Sequence, residues 1–191
     1  VGINSVIYFL PQVFIKGFGF PENHAIWVSV GIGVVNFAAT IVATLIMDRF
    51  PRKKLLVFGS VVMTVSLAAL AILNFTGDVS TLAVPTMVLI AVYILGFALS
   101  WGPIAWVLIG EIFPLSVRGI GSSFGSAANW LGNFVVSQFF LMLLAAFGNN
   151  VGGPFAIFGV FSALSIPFVL HFVPETKGKS LERIEEEMVR R

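Results

Sequence analysis

Long apolar runs constrain this chain more than any other feature of its sequence. A helix needs ~20 mostly apolar residues to cross the hydrocarbon core of a membrane. The chain begins with a short apolar run at residues 2–14. Inside lipid, a helix satisfies all its backbone hydrogen bonds within itself. The pattern therefore predicts an all-α membrane protein with six spans, the first of them truncated. The five full-length runs lie at residues 25–47, 55–75, 82–112, 120–147 and 154–173.

The composition supports a membrane protein and excludes several kinds of site. Hydrophobic residues make up 58% of the 191 residues and charged residues 10%, whereas about 25% of a soluble domain is charged. Cysteine is absent, which excludes disulfides and thiolate metal sites. His24 and His171 stand far apart at predicted span ends, so we predict no metal site. The chain begins inside an apolar run, and we expect it to be part of a longer protein.

The basic residues predict the orientation of the spans. With six crossings, the loop at residues 48–54, the turn at 114–119 and the tail after residue 173 lie on one side. Cytoplasmic loops carry the excess of Lys and Arg, so we expect these segments in the cytoplasm of a cell-membrane protein. The basic residues border spans and lack interleaved aromatic side chains, which argues against a nucleic-acid partner. Of the 11 Lys and Arg residues, all but Lys16 fall in these segments: Arg49, Arg52, Lys53, Lys54, Arg118, Lys177, Lys179, Arg183, Arg190 and Arg191.

The last part of the chain differs from the spans. Leu181, Ile184 and Met188 recur at helical spacing among charged residues. An amphipathic helix lying under the bundle and a merely solvated terminal helix both fit this pattern. We therefore predict a six-span bundle over residues 1–173 followed by a cytoplasmic amphipathic tail helix over residues 174–191.

The fourth run contains residues that a simple membrane anchor does not need. A Gly102-Pro103 pair interrupts it between Trp101 and Trp106. Proline removes a backbone hydrogen bond, and lipid tolerates this only where protein or a water-filled cavity satisfies the freed groups. We therefore predict a hinge at Gly102 and Pro103, in a span that lines a cavity.

Uncharged amides within the spans are the main candidate ligand groups. Asn129 and Asn133 lie one helical turn apart on one face. Amides both donate and accept hydrogen bonds, and the indole of Trp106 offers a flat apolar face, so together they suit a neutral, hydroxyl-rich ligand such as a sugar. Hydrogen bonding between helices is the alternative role for each amide. The amides in question are Asn4, Gln12, Asn36, Asn129, Asn133 and Gln138.

Charged residues near the span ends form a second group. Glu111 lies close to the end of an apolar span, where an unpaired carboxylate is unfavourable. Arg118 is near in sequence and is its expected partner. Asp48 and Arg52 share one loop, and Glu175 follows the last span. Ordinary enrichment of cytoplasmic loops in basic residues is the alternative explanation for this group.

Four short motifs follow one another along the chain: Gly2-Ile3-Asn4 with Tyr8 and Pro11; Asp48-Arg49-x-x-Arg52-Lys53; Trp101-Gly102-Pro103-x-x-Trp106 with Glu111-x-Phe113-Pro114 and Arg118; and Pro174-Glu175-Thr176-Lys177-Gly178. Each motif alone identifies a protein family only weakly, whereas the four in this order are specific for one family. They resemble the C-terminal half of a sugar porter of the major facilitator superfamily, especially bacterial symporters that couple protons to xylose, galactose or related sugars. The resemblance implies a six-helix bundle built as 3+3 inverted repeats, which forms one half of that fold.

The resemblance also implies roles for individual residues. Phe9 stands where many members have tyrosine, and Pro51 replaces a usual glycine, so the rim of the site and the basic loop depart from the family pattern. The implied substrate-binding residues are Asn4, Tyr8, Asn36, Trp106, Asn129 and Asn133. The implied cytoplasmic gate ion pairs, which latch the outward-facing state, involve Asp48, Arg52, Glu111, Arg118 and Glu175.

The predicted function is transmembrane transport of a monosaccharide such as xylose, glucose or galactose by alternating access. The resemblance implies symport with protons, and the expected partners are the sugar, protons, the lipid bilayer and an N-terminal six-span half. We expect no cofactor. A facilitative sugar or polyol carrier and a non-transporting membrane sugar sensor remain alternatives, because both would use the same amides. We do not expect an enzyme, since the spans contain no nucleophile–base pair or metal cluster.

Overall fold

A computed structural model of the chain describes residues 2–178 except 48, 78 and 115, and gives only the backbone for residues 79–81. Five stretches in this part are long and apolar enough to cross a membrane, which agrees with the predicted all-α membrane protein. The predicted tail helix with Leu181, Ile184 and Met188 lies outside the described residues. The described helices are α1 (Ile3–Phe18), α2 (Glu22–Ile46), α3 (Arg52–Thr76), α4 (Val79–Ala98), α5 (Trp101–Glu111), α6 (Arg118–Ala146) and α7 (Gly152–Phe172).

Helix α1 is shorter than a full span. Its 16 residues rise about 24 Å at 1.5 Å per residue, whereas the hydrocarbon core is ~30 Å thick. It ends at Gly19, whose φ of 67° is in the left-handed region that glycine adopts readily. The N–H of Phe20 donates to the carbonyl oxygen of Phe14 at 3.1 Å, which closes the helix end. This turn brings the chain directly into α2.

The fourth predicted span consists of two helices. Helix α4 ends at Ala98, and Ser100 has a non-helical backbone (φ −135°, ψ −87°) immediately before α5 begins. Gly102 and Pro103, the predicted hinge, lie in the first turn of α5, where proline displaces no helical hydrogen bond. The interruption itself therefore falls two residues before the Gly-Pro pair.

Helices α3 and α7 lie at the centre of the bundle. Leu67 of α3 and Phe155 of α7 are fully buried in one core with Phe14 of α1 and Tyr93 of α4. In the most apolar 18-residue stretch of each helix, 44% of α3 is buried, whereas 11% of α6 is buried. Helix α6 therefore presents mostly outward-facing apolar side chains, which is the surface that a lipid environment accommodates.

Helix α3 makes a close contact with the α4–α5 junction. A Cβ atom added at Gly59 would lie 1.8 Å from Ser100 Oγ, so only glycine fits at this point of α3. Ser100 Oγ in turn donates to the carbonyl oxygen of Gly96 at 2.6 Å. Small residues of this kind allow membrane helices to approach closely.

Candidate functional site

A cavity of about 560 Å³ opens among α1, α5, α6 and α7, with Phe97 of α4 at its edge. Small-molecule sites typically measure ~300–1,000 Å³. None of the described residues that line the cavity carries a formal charge. Four of the residues predicted to bind substrate lie on its wall: Asn4, Trp106, Asn129 and Asn133.

The amides on this wall are free to bind a ligand. Asn129 and Asn133 lie on one face of α6, and Asn4 lies in the first turn of α1. Within the described part of the chain, these three side-chain amides have no hydrogen-bond partner. Polar groups without protein partners are satisfied by water or by a ligand. Trp106 projects from α5 beside them and is 48% exposed.

Two other predicted ligand residues do not line the cavity. Tyr8 is 60% exposed and lies one turn along α1 from Asn4. Asn36 is half-buried on α2, a helix that contributes no residue to the cavity wall. Their participation in binding stays a prediction, since it would require a different arrangement of the helices or a ligand that extends beyond the cavity.

The structure adds residues that sequence reasoning did not assign to the site. Phe161 and Ser165 of α7 reach the cavity, as do Trp101 of α5 and Trp130 of α6. Phe161 and Ser165 are four residues apart and so share a helix face. That spacing was visible in the sequence, but nothing in it indicated which helix α7 would face. We give the name amide–indole wall to six residues of this surface: Asn4, Trp101, Trp106, Asn129, Asn133 and Ser165.

The charged residues gather in a separate region. Arg52 Nη2 lies 3.0 Å from Glu111 Oε1, and the two side chains are only 13% and 24% exposed. Glu175 accepts hydrogen bonds from the backbone N–H groups of Arg52 and Lys53 at 3.0 and 3.1 Å. A carboxylate at this position caps α3 and interacts favourably with its dipole. The backbone N–H of Lys177 also donates to Glu175, at 3.1 Å. We call Arg52, Glu111, Glu175 and Lys177 the Arg52 cluster.

The expected pairing of Glu111 with Arg118 is wrong. Glu111 pairs with Arg52, and Arg118 Nε instead donates to the carbonyl oxygen of Phe113 at 3.3 Å. Because Arg118 begins α6, its side chain turns back to the preceding connection, while the start of α3 packs beside the end of α5. Asp48 lies outside the described residues. Membership of these residues in a gate stays a prediction.

Two atoms of the Arg52–Glu111 pair have no partner among the described residues. Arg52 Nε and Glu111 Oε2 are both buried without a hydrogen bond. Buried charged atoms are normally paired, because an unsatisfied one is unfavourable. Arg52 Nε can therefore donate a hydrogen bond to a group outside the described residues, and Glu111 Oε2 can accept one.

Comparisons with known proteins give a consistent result. The model of the family described as "Sugar (and other) transporter" matches residues 1–188. The D-xylose transporter of Levilactobacillus brevis is 41% identical over 97% of this chain, and the facilitated trehalose transporter Tret1 of Culex quinquefasciatus is 40% identical over 98%. A solved structure of XylE, a proton:xylose symporter of the major facilitator superfamily bound to 6-bromo-6-deoxy-D-glucose, matches 97% of the chain with a TM-score of 0.85 and 36% identity.

The chain is much shorter than these proteins. It spans 40% of the Levilactobacillus brevis transporter, 36% of the Culex quinquefasciatus transporter and 39% of the XylE chain. More than half of each of these proteins therefore has no counterpart in this chain.

Proposed function

The chain belongs to the sugar (and other) transporter family, and from this premise we propose that it is the C-terminal half of a membrane carrier for a monosaccharide. The observation that supports this most strongly is the amide–indole wall. Three amides that have no hydrogen-bond partner among the described residues and the exposed indole of Trp106 meet on a cavity of about 560 Å³. Amides can exchange hydrogen bonds with sugar hydroxyls, and an indole face packs on the apolar C–H face of a sugar ring.

Transport in this proposal uses alternating access. The six spans form 3+3 inverted repeats, and the sugar sits between this bundle and a second six-span bundle. The start of α3, residues 114–119 and the tail face the cytoplasm, in keeping with the concentration of Lys and Arg in these segments. The Arg52 cluster lies at that end and holds it closed while the cavity faces outward.

The wall supplies sugar contacts but no proton site. None of the described residues that line the cavity titrates near neutral pH. In a proton-coupled symporter the group that carries the proton would therefore lie outside the described lining of this cavity. A facilitative carrier is the second candidate, and the same uncharged lining favours it. Uptake that is abolished by a protonophore distinguishes symport from facilitation.

Reconstitution tests the proposal. We expect a full-length carrier that contains this chain to take up xylose, glucose or galactose saturably when reconstituted in lipid vesicles. The 191 residues alone should give no uptake, because one wall of a cavity cannot alternate between two sides. Robust uptake by the 191 residues alone would contradict the half-carrier proposal. A full-length carrier that moves none of these sugars would contradict the substrate class.

A further inference from the structure

A chain of hydrogen bonds runs behind the amide–indole wall. Trp101 Nε1 donates to Ser60 Oγ at 2.8 Å, and Ser60 Oγ lies 2.8 Å from Ser165 Oγ. Ser165 Oγ also lies 2.6 Å from the carbonyl oxygen of Ser162. Ser60 is fully buried on α3, whereas Trp101 on α5 and Ser165 on α7 both line the cavity. A residue that no ligand can touch therefore connects two residues of the wall.

The direction of this chain follows from counting protons. An indole N–H only donates and a carbonyl oxygen only accepts, so the Trp101 N–H and the Ser162 carbonyl are the two ends. Each serine hydroxyl has one proton to donate. Ser165 directs its one proton to both the Ser162 carbonyl oxygen and Ser60 Oγ, and Ser60 Oγ also accepts the Trp101 N–H. Ser165 therefore has no proton left for a ligand, and its oxygen can still accept a hydrogen bond.

We propose that Ser165 forms a subsite that accepts a hydrogen bond from one substrate hydroxyl, and that Ser60 is the positioning residue that holds it in this state. The inference rests on the proposed sugar binding and adds one defined contact to it. The amides of Asn129 and Asn133 can donate or accept, so they tolerate either orientation of a sugar hydroxyl. Ser165 accepts only, and it therefore distinguishes a hydroxyl from a group that cannot donate. Trp101 offers its ring face alone, because Ser60 occupies its N–H.

Deoxy and fluoro sugars test this subsite. Binding of a monosaccharide and of its deoxy and fluoro analogues at each ring position is measured by calorimetry on the full-length carrier. At the position that Ser165 contacts, both analogues lose the donated proton, so both should bind about fivefold more weakly than the parent sugar. In Ser165→Ala the binding of the parent sugar should weaken by about the same factor. The difference in affinity between the parent sugar and its analogues at that one position should disappear.

Further variants separate the subsite from a general packing role. Ser60→Ala leaves the wall residues in place but removes the group that orients Ser165, so discrimination at that position should be reduced. Ser66→Ala is the matched control on α3, because the Ser66 hydroxyl is also buried and, among the residues that the structure describes, bonds only to the Val62 carbonyl. It should keep the wild-type selectivity. If Ser165→Ala does not give folded carrier, Ser165→Cys replaces it, since a thiol is a weak acceptor of similar size.

The possible outcomes are distinct. Wild-type discrimination that persists at every position in the Ser165 variant overturns the subsite while leaving sugar binding intact. Unchanged discrimination in Ser60→Ala overturns the positioning role of Ser60. A full-length carrier that binds no monosaccharide overturns the proposed function and the subsite with it.

Discussion

The amide–indole wall and the Arg52 cluster are built in opposite ways. The wall is uncharged, and the amides of Asn4, Asn129 and Asn133 have no partners within the described residues. The Arg52 cluster is charged, and its Arg52–Glu111 pair closes at 3.0 Å in a largely buried setting. Amide hydrogen bonds exchange with water at little net free energy, whereas separating a buried ion pair is unfavourable. The wall therefore suits a ligand that arrives and leaves, and the cluster suits a contact that holds helices together.

One short helix joins the two regions. Trp101 and Trp106 of the wall and Glu111 of the cluster all lie on α5, which has 11 residues. Trp106 and Glu111 are separated along the helix axis by about 7.5 Å at 1.5 Å per residue. A rigid movement of α5 therefore displaces the wall and the cluster together. In the proposed carrier, this shared helix would couple sugar binding to opening of the charged end.

Substitution of Gly59 should have the largest effect, because it disturbs both regions. In Gly59→Ala the new Cβ would lie 1.8 Å from Ser100 Oγ, immediately before α5. Overpacking of this severity is expected to destabilise the fold by about 3 kcal/mol. Thermal unfolding in detergent should show the loss, and sugar binding and uptake should fall together. Gly33→Ala is the control, since a Cβ there meets nothing within 4 Å. A stable, active Gly59→Ala carrier would contradict the proposed position of α5.

The next largest effect should separate the two regions. Arg52→Ala leaves Glu111 buried without its partner, and we expect a loss of about 2 kcal/mol, reduced from the fully buried case because the pair is partly exposed. In the full-length carrier the maximal uptake rate should fall at least tenfold, while sugar affinity changes less than threefold. Lys54→Ala, an exposed position on the same helix, should behave as wild type. Loss of affinity with normal turnover would place Arg52 at the sugar site instead.

The amides of the wall should show the reverse pattern. Asn129→Ala and Asn133→Ala each remove one hydrogen-bonding group, so each should weaken sugar binding by about 1 kcal/mol, or about fivefold. Protein stability should be unchanged, because neither amide has a partner within the described residues. Gln138→Ala is the control, since Gln138 is exposed on the same helix away from the cavity. Calorimetric titration with the transported sugar measures the difference. Wild-type affinity in both variants would argue that these amides serve only helix packing.

The smallest effect should come from the cap of α3. Glu175→Gln keeps only one of the two oxygens that accept from the backbone N–H groups of Arg52 and Lys53, and it removes the negative charge that interacts favourably with the helix N-terminus. The expected loss of stability is about 0.5–1 kcal/mol, and the part that comes from the charge should shrink at high salt. Glu22→Gln, in the exposed first turn of α2, should show a comparable or smaller change. Chemical unfolding at two salt concentrations provides the measurement. A loss of several kcal/mol would mean that Glu175 is engaged in a buried ion pair.

The sequence was sufficient for the spans and for part of the wall. Membrane thickness imposes apolar runs of a fixed length, so the helices could be placed to within a few residues. Helical periodicity placed Asn129 and Asn133 on one face, and the structure brings them to the same cavity. Both features depend on residues that are close together in the chain.

The family resemblance grouped Arg52, Glu111 and Glu175, but the individual contacts between distant segments could not be predicted from the residues alone. Arg52 and Glu111 are 59 residues apart, and Glu175 reaches the N-terminus of α3 across 123 residues. Sequence proximity favoured Arg118 for Glu111, but the packing of α3 beside α5 decided the pairing. Ser165 reached the wall for the same reason, since only the packing of α7 on α3 brings it next to Ser60. The close approach of Gly59 to Ser100, at the helix break before Gly102, is a further contact of this kind.

Sugar affinity of a Trp106→Ala carrier tests the central claim most directly. Trp106 contributes the exposed indole face beside the amides, and its removal should weaken binding by about 1–3 kcal/mol, or about 5- to 150-fold. Trp27→Ala is the matched control, because Trp27 is 72% exposed on α2 and does not line the cavity. Calorimetry on the full-length carrier should find weaker binding in the Trp106 variant alone. Equal affinity in the wild-type protein and both variants would contradict a sugar site on the amide–indole wall.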